Sequence, residues 1–155
     1  MSTPLADALK LLARRELSAA NLRARLIDRG HGRDEADAAI AELTETGAVD
    51  DRRVARAYAR TAASVKGRGR LRVTRELQAM GIDRDIVAQA VGEVFGDLDE
   101  RALLERAIQK KLRGGRKVVT RQERARLYQF LMRQGFTPGA VSAAMRRLGA
   151  GDDSG

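Results

Sequence analysis

Apolar residues recur at helical spacing along most of this chain, with charged residues between them. The apolar positions of one such stretch are Leu71, Val73, Leu77 and Met80. This spacing predicts an amphipathic helix that buries one side. Gly81 is expected to end the helix, because glycine adopts a left-handed conformation without a Cβ clash. Asp83 is then placed to cap the helix that follows.

The same pattern occurs three times when the sequence is aligned on Gly30, Gly81 and Gly135, which lie 51 and 54 residues apart. Five apolar columns align without a gap: Leu22, Val73 and Leu127; Leu26, Leu77 and Leu131; Ala36, Val87 and Val141; Ile40, Val91 and Met145; Leu43, Val94 and Leu148. Any amphipathic helical protein shows some such periodicity, but five columns in register with a glycine favour an internal repeat.

We therefore predict an all-α fold of three tandem three-helix repeats stacked into an elongated body. The expected repeats are residues 1–49, 50–96 and 97–149, followed by a disordered tail at 150–155. Helix starts are predicted at Ser18, at Asp97 with Glu100, at Thr120 with Glu123, and at Thr137 with Pro138. The content of Ala, Leu, Arg and Glu, with only two prolines, also favours helix.

Residues that could perform catalysis are few. The chain has no cysteine, and His31 is the single histidine, so a metal site lacks ligands and His31 is expected to be a solvated turn residue. No GxxxxGK[ST] motif is present, so we expect no nucleotide hydrolysis. Asp50 and Asp51 are explained by helix capping and by the helix dipole. We predict that the protein is not an enzyme and uses no cofactor and no metal.

The length of 155 residues suits one domain or a few small units that share a core. No apolar run is long enough for a signal peptide or a membrane span, and the absence of cysteine fits a reducing compartment. We expect a cytoplasmic protein with no membrane partner, acting as a monomer.

Positive charge is concentrated towards the C-terminus. The formal net charge is +9, divided as −2 over residues 1–50, +4 over 51–97 and +7 over 98–155. Such an excess favours polyanions, acidic protein surfaces or anionic membranes as partners.

The basic residues fall into two stripes. The first basic stripe comprises Arg52, Arg56, Arg60, Lys66, Arg68, Arg70, Arg72 and Arg75. The second basic stripe comprises Arg106, Lys110, Lys111, Arg113, Arg116, Lys117, Arg121 and Arg124. In the first stripe Arg52, Arg56 and Arg60 are four residues apart and share a helix face, opposite Val54, Tyr58 and Ala62.

A single stripe of this kind is usually a solvated helix face. Two stripes at comparable places in successive repeats, each ending in a glycine-containing basic loop, favour contact with a polyanion. The chain has only five aromatic residues, most of them at core spacing, so contact with phosphates is a better expectation than base stacking.

Three segments resemble the RecX family of recombinase regulators: DDRRVARAYAR at residues 50–60, GRGRLRVTRELQAMGI at 67–82, and LYQFLMRQGFTPGAVSAAMRRL from residue 127. Val54 stands where the family usually has phenylalanine, and the GRGR loop lacks the proline that is frequent there. The resemblance implies a helical protein that binds the RecA recombinase and its filament on DNA. It further implies restraint of the ATPase, strand-exchange and co-protease activities of RecA, without catalytic residues. A stand-alone basic nucleic-acid-binding module remains the alternative, and weak direct DNA binding is compatible with both.

Overall fold

The computed structural model describes residues 2–96, 98–113, 115, 117–118 and 120–151, of which residues 150 and 151 are described as backbone alone. Over these residues the chain forms nine α-helices and no strand, which confirms the predicted all-α class. The helices are α1 (Pro4–Arg14), α2 (Ala19–Asp28), α3 (Arg33–Glu45), α4 (Asp51–Ser64), α5 (Arg70–Ala79), α6 (Arg84–Gly96), α7 (Glu100–Lys111), α8 (Arg121–Gln134) and α9 (Pro138–Gly151).

The three aligned glycines share one backbone conformation. Gly30, Gly81 and Gly135 have φ of +95°, +75° and +98°, so each ends its helix in the left-handed region as expected. Thirteen of the fifteen residues in the five apolar columns are buried, and Ile40 and Leu148 are half-buried. The repeat pattern in the sequence is therefore also a pattern of burial.

Leu71 departs from its predicted place on the buried side of α5. Its side chain is 42% exposed, whereas Val73 and Leu77 are fully buried and Met80 is half-buried. Leu71 is the second residue of α5, and its N–H bonds to the carbonyl of Gly135, 3.0 Å away. The helix has only just begun there, so the buried stripe starts at Val73.

Several predicted caps are confirmed. The Ser18 hydroxyl accepts a hydrogen bond from the Asn21 N–H at 3.1 Å, and Asp83 Oδ1 accepts one from the Asp85 N–H at 2.9 Å. Thr120 and Glu123 form a reciprocal capping box at the start of α8. These side chains satisfy amide groups that a helix start leaves without intrahelical partners.

The predicted box of Asp97 with Glu100 is wrong. Asp97 lies outside the described residues, and α7 begins at Glu100 with Asp99 as its cap, accepting from the Arg101 N–H at 3.0 Å. The Glu100 carboxylate instead accepts from the N–H and hydroxyl of Thr137, at the start of α9, at 3.4 and 3.1 Å. A carboxylate that fits a local box by spacing therefore caps a helix elsewhere in the chain.

Spatially the chain divides into two compact units. Unit 1 comprises Met1–Tyr58 and Glu76–Ala90, and unit 2 comprises Ala59–Arg75 and Val91–Gly155. One core cluster of unit 1 includes Leu22, Leu26 and Leu43, and one of unit 2 includes Leu104, Leu131 and Phe136. The boundaries predicted at 49/50 and 96/97 and the elongated stacking stay predictions, and residues 152–155 of the predicted tail lie outside the described part.

Candidate functional site

Charge differs sharply between the two units. Unit 1 contains 11 Lys and Arg against 13 Asp and Glu, a net charge of −2, whereas unit 2 contains 19 against 8, a net charge of +11. Within unit 2, the segment Ala59–Arg75 carries six basic residues and no acidic one. Because like charges repel, such a concentration favours an anionic partner.

The side chains of α4 are sorted as predicted. Arg52, Arg56 and Arg60 are exposed, while Val54 and Ala62 are buried. On the inner side the half-buried Tyr58 donates its hydroxyl to Glu76 Oε2 at 2.7 Å. The guanidinium of Arg52 donates to Gln89 Oε1 at 2.7 Å. The arginines of α4 are exposed because the opposite face of the helix is packed against the protein.

The basic loop after α4 has an ordered backbone. The N–H groups of Val65 and Lys66 both bond to the carbonyl of Thr61, at 2.9 and 3.2 Å, and the Arg68 N–H bonds to that of Ala62 at 2.9 Å. Gly67 supplies the left-handed residue of this turn, with φ of +64°. These bonds satisfy carbonyls at the end of the helix and fix the path of the loop.

The loop is then bound to the turn between α8 and α9 within unit 2. The N–H of Gly69 donates to the carbonyl of Gln134 at 2.7 Å, and that of Leu71 to the carbonyl of Gly135 at 3.0 Å. A Cβ on Gly69 would lie 2.5 Å from the carbonyl of Gly135, and a Cβ on Gly135 would lie 2.2 Å from the Cβ of Arg72. Two glycines are therefore required for the backbones to approach this closely.

The basic side chains of this segment differ in exposure. Lys66, Arg70 and Arg75 are exposed, and Arg68 and Arg72 are half-buried. The guanidinium of Arg72 donates to Gln134 Oε1 at 2.7 Å, so it holds the α8–α9 turn as well as contributing charge. Gly69, Gln134 and Gly135 are positioning residues that the sequence did not reveal, because their contacts join backbone groups more than sixty residues apart.

The described members of the second basic stripe all lie in unit 2, whereas Arg52 and Arg56 of the first basic stripe lie in unit 1. The exposed members of the second basic stripe are Arg106, Lys110, Lys111, Arg113, Lys117 and Arg121. Arg116 lies outside the described residues. Arg124 is half-buried and donates to the carbonyl of Met145 at 3.1 Å, and the Lys111 ammonium lies 4.7 Å from the centre of the Phe130 ring. Arg124 therefore links α8 to α9, and the exposed members are the stronger candidates for a partner.

Several cations of unit 1 are engaged in its own structure. Arg53 donates to Glu16, to the Gly47 carbonyl at 3.0 Å and to the Ala48 carbonyl at 3.3 Å. Arg23 pairs with Asp37 at 2.6 Å. Asp50 caps α4 as expected, accepting from the N–H of Arg52 at 3.0 Å. The neighbouring Asp51 instead accepts from the N–H of Ala19, the first residue of α2, at 2.9 Å.

His31 is not the solvated residue that the sequence predicted. Its side chain is 13% exposed, and its Nε2 lies 2.6 Å from Oδ2 of Asp7, a buried carboxylate of α1. The hydrogen bond with His31 holds the pKa of the Asp7 carboxyl below its ordinary value. A turn residue between two glycines is expected to be exposed to solvent, but His31 contacts a carboxylate on another helix.

Among the described residues, no group of three or more His, Asp or Glu is arranged to hold a metal ion. None of the helices they form is long and apolar enough to cross a membrane.

Comparison with known proteins identifies the family. The chain matches family models of the first, second and third three-helix domains of RecX at residues 5–43, 50–91 and 99–145. It is 32% identical over 149 residues to the regulatory protein RecX of Pelodictyon phaeoclathratiforme, covering 94% of this chain and 91% of that one. It is 37% identical over 145 residues to the regulatory protein RecX of Thermus thermophilus, covering 94% and 92%.

The fold is similar to that of a solved relative. The crystal structure of RecX from Lactobacillus salivarius superimposes with a TM-score of 0.77 at 19% identity, covering 95% of each chain. The predicted threefold helical repeat is therefore confirmed by both sequence and structure. The chain belongs to the RecX family of regulatory proteins.

Proposed function

We propose that this protein regulates the bacterial RecA recombinase by binding RecA and its filament on DNA, and that binding restrains ATP hydrolysis, strand exchange and co-protease activity. The observation that carries the proposal is the segment Ala59–Arg75, six cations without an acid on a fixed backbone, in a chain of the RecX family. A protein-coated DNA filament presents both carboxylates and phosphates, which are the groups that such a segment attracts.

Restraint of this kind needs no catalytic group in the regulator. A protein that binds one arrangement of filament subunits more tightly than the others shifts the population towards that arrangement. If that arrangement hydrolyses ATP slowly, turnover falls in proportion to occupancy. The proposed activity therefore depends on differential binding by the two basic stripes.

The test is RecA-catalysed, DNA-dependent ATP hydrolysis measured with increasing amounts of the protein. Inhibition is expected, and no effect at several-fold molar excess contradicts the proposal. Replacing Lys66, Arg70 and Arg75 together by Ala should raise the half-inhibiting concentration about a hundredfold, since each lost charge contact weakens binding by about 1 kcal/mol. Arg72 is left intact because its guanidinium also bonds to Gln134.

A matched control is available in unit 1. Arg14, Arg25 and Arg33 are exposed and lie on α1, α2 and α3. Replacing these three by Ala removes the same charge from the chain but leaves unit 2 unchanged. Equal loss of inhibition by both triple variants means that total charge, and not the segment Ala59–Arg75, determines binding. Circular dichroism should show that helicity is retained in both.

A second candidate function is direct binding of nucleic acid without RecA. The exposed members of the second basic stripe favour it, because they follow one another along α7 and the connection to α8. It predicts that log affinity for naked DNA falls with log salt by about 0.9 per phosphate contact. Weak binding at physiological salt in the absence of RecA makes DNA contact an auxiliary property of the RecA regulator.

A further inference from the structure

Unit 2 contains a cavity that is lined by apolar as well as charged residues. It has a volume of about 470 Å³ and lies between the C-terminal parts of α4 and α6, lined by Arg60, Ser64, Glu93, Val94 and Leu98. This volume is within the range of about 300–1,000 Å³ found for ligand pockets. Val94 is buried, and Leu98 is half-buried against the core of the unit. The cavity therefore combines an apolar floor with a cation at its edge.

An exposed apolar residue follows Ser64, one of the residues that line this cavity. Val65, next to Ser64, is 69% exposed, the highest value among the large apolar side chains described as exposed. Its backbone is ordered, because its N–H bonds to the carbonyl of Thr61 at 2.9 Å. Val65 is thus displayed on a fixed turn, and its exposure is not a consequence of a frayed helix end.

The segment that contributes Arg60 and Ser64 to this cavity carries charge of one sign. Arg60 lines the cavity and Lys66 follows Val65, and the whole segment Ala59–Arg75 has no acidic residue. Among the described residues of the lining, Glu93 is acidic. Phosphates gain nothing from Val65, Val94 or Leu98, and the described lining residues include no aromatic ring on which a base could stack.

We propose that this cavity, together with Val65, the residue after Ser64, binds an acidic protein segment that inserts an apolar side chain over Val94 and Leu98 and places carboxylates beside Arg60 and Lys66. The inference rests on the proposed function and deepens it, because it assigns this part of unit 2 to the protein component of the filament. Apolar anchors surrounded by complementary charge are the usual means by which an interface gains both affinity and selectivity.

The direct test uses synthetic peptides and the full chain at about 0.15 M salt. Two twelve-residue peptides carry the same glutamates, and one has two leucines where the other has two serines. The leucine peptide should bind about tenfold more tightly and should shift the methyl NMR signals of Val65, Val94 and Leu98. Equal affinity of the two peptides overturns the proposal. So does a single-stranded oligonucleotide that shifts these methyl signals as strongly as the leucine peptide does.

Substitution at the exposed position separates this inference from the proposed function. Val65→Ser should abolish the preference for the leucine peptide and raise the concentration for half-inhibition of RecA about tenfold, with affinity for naked DNA unchanged. Leu9→Ser is the matched control, since Leu9 is 48% exposed and lies in unit 1, and it should change none of these values.

The possible failures are distinguishable. If the wild type inhibits RecA and Val65→Ser inhibits equally well, the docking site is wrong and the regulatory function stands. If the wild type does not inhibit RecA, the regulatory function is wrong, and the peptide comparison alone decides whether the cavity takes an acidic segment.

Discussion

The two compact units use their charged residues in different ways. In unit 1, Arg23, Arg53 and His31 contact carboxylates of the same unit, and the net charge is −2. In unit 2, six cations of Ala59–Arg75 follow one another without an acid, and the net charge is +11. The difference indicates that the positive charge which would attract an anionic partner is concentrated in unit 2.

Net charge differs less among the three thirds of the sequence than between the two units, because residues 59–75 fall in the middle third of the sequence. In the structure that segment belongs to the same unit as α7, α8 and α9. Both basic loops therefore lie in one unit, although they come from different repeats. Stability and binding should accordingly respond to different residues, which the following substitutions examine.

The largest expected effect is that of Gly135→Ala in unit 2 compared with Gly30→Ala in unit 1. Both glycines have nearly the same φ, +98° and +95°, so each substitution incurs the left-handed strain of about 1–2 kcal/mol. Only at Gly135 does the new Cβ meet another atom, the Cβ of Arg72 at 2.2 Å, whereas nothing lies within 4 Å at Gly30. We expect Gly135→Ala to lower the free energy of unfolding by about 3 kcal/mol or more.

Urea denaturation of the full chain measures both variants. Equal destabilisation would mean that the basic loop can shift away from the new Cβ without lowering the free energy of unfolding. Gly135→Ala should also reduce the proposed inhibition of RecA, because the turn that it changes holds the loop. Hydrogen exchange at the amides of Gly69 and Leu71 reports whether that loop has been released.

An intermediate effect is expected when Arg53→Ala is compared with Arg70→Ala. Arg53 bonds to one carboxylate and two backbone carbonyls of unit 1, so its loss should cost about 1–2 kcal/mol of stability. Arg70 is exposed, so its loss should change stability by less than about 0.5 kcal/mol.

Binding should show the reverse order. Arg70→Ala should lower the salt dependence of polyanion binding by about 0.9 in slope, and Arg53→Ala should leave it unchanged. Thermal unfolding and salt titration of DNA binding, made on the same two proteins, give both quantities. A loss of binding in Arg53→Ala that survives correction for the unfolded fraction contradicts the division of roles between the units.

The smallest effect is expected for Asp7→Asn and depends on pH. The pKa of Asp7 is lowered in the folded protein, chiefly by its hydrogen bond with His31. Its contribution to stability is therefore complete above the ordinary value of 3.8 and is lost as the pH falls through the lower folded-state value. Asp7→Asn should be less stable than the wild type at pH 7, and its stability should fall less steeply below about pH 4.

Unfolding midpoints measured from pH 7 to pH 3 test this prediction. Asp37→Asn is the control, because Asp37 pairs with Arg23 at an exposed site, where such pairs contribute little. Parallel pH profiles of Asp7→Asn and the wild type would show that the contact with His31 does not stabilise unit 1.

The sequence predicted what depends on local periodicity. The apolar columns and the helix-ending glycines follow from the spacing of residues along single helices, and the structure places them as expected. The contact of Gly69 with Gly135 could not be predicted, since it joins backbone atoms and leaves no side-chain pattern. Asp51 lies in the first turn of α4, where the helix dipole favours an acid as expected, but its carboxylate accepts from the N–H of Ala19, because spacing cannot say which helix start a carboxylate reaches.

The candidate site was predicted as a set of residues but not as an arrangement. Exposure of Arg52, Arg56 and Arg60 follows from their spacing opposite the buried residues Val54 and Ala62. The engagement of Arg72 and Arg124 in holding the α8–α9 region depends on tertiary contacts. Whether each exposed cation contacts RecA or DNA stays a prediction.

The hydroxyl of Ser18 has a consequence for synthesis on the ribosome. It is fully buried, accepts from the Asn21 N–H at 3.1 Å and donates to the carbonyl of Met80 at 2.7 Å. The bond from the Asn21 N–H can form as soon as α2 does, but the bond to Met80 needs a residue 62 positions later in the chain. The native surroundings of Ser18 are therefore complete only when the second repeat has also been synthesised, which makes the order of translation part of how this site forms.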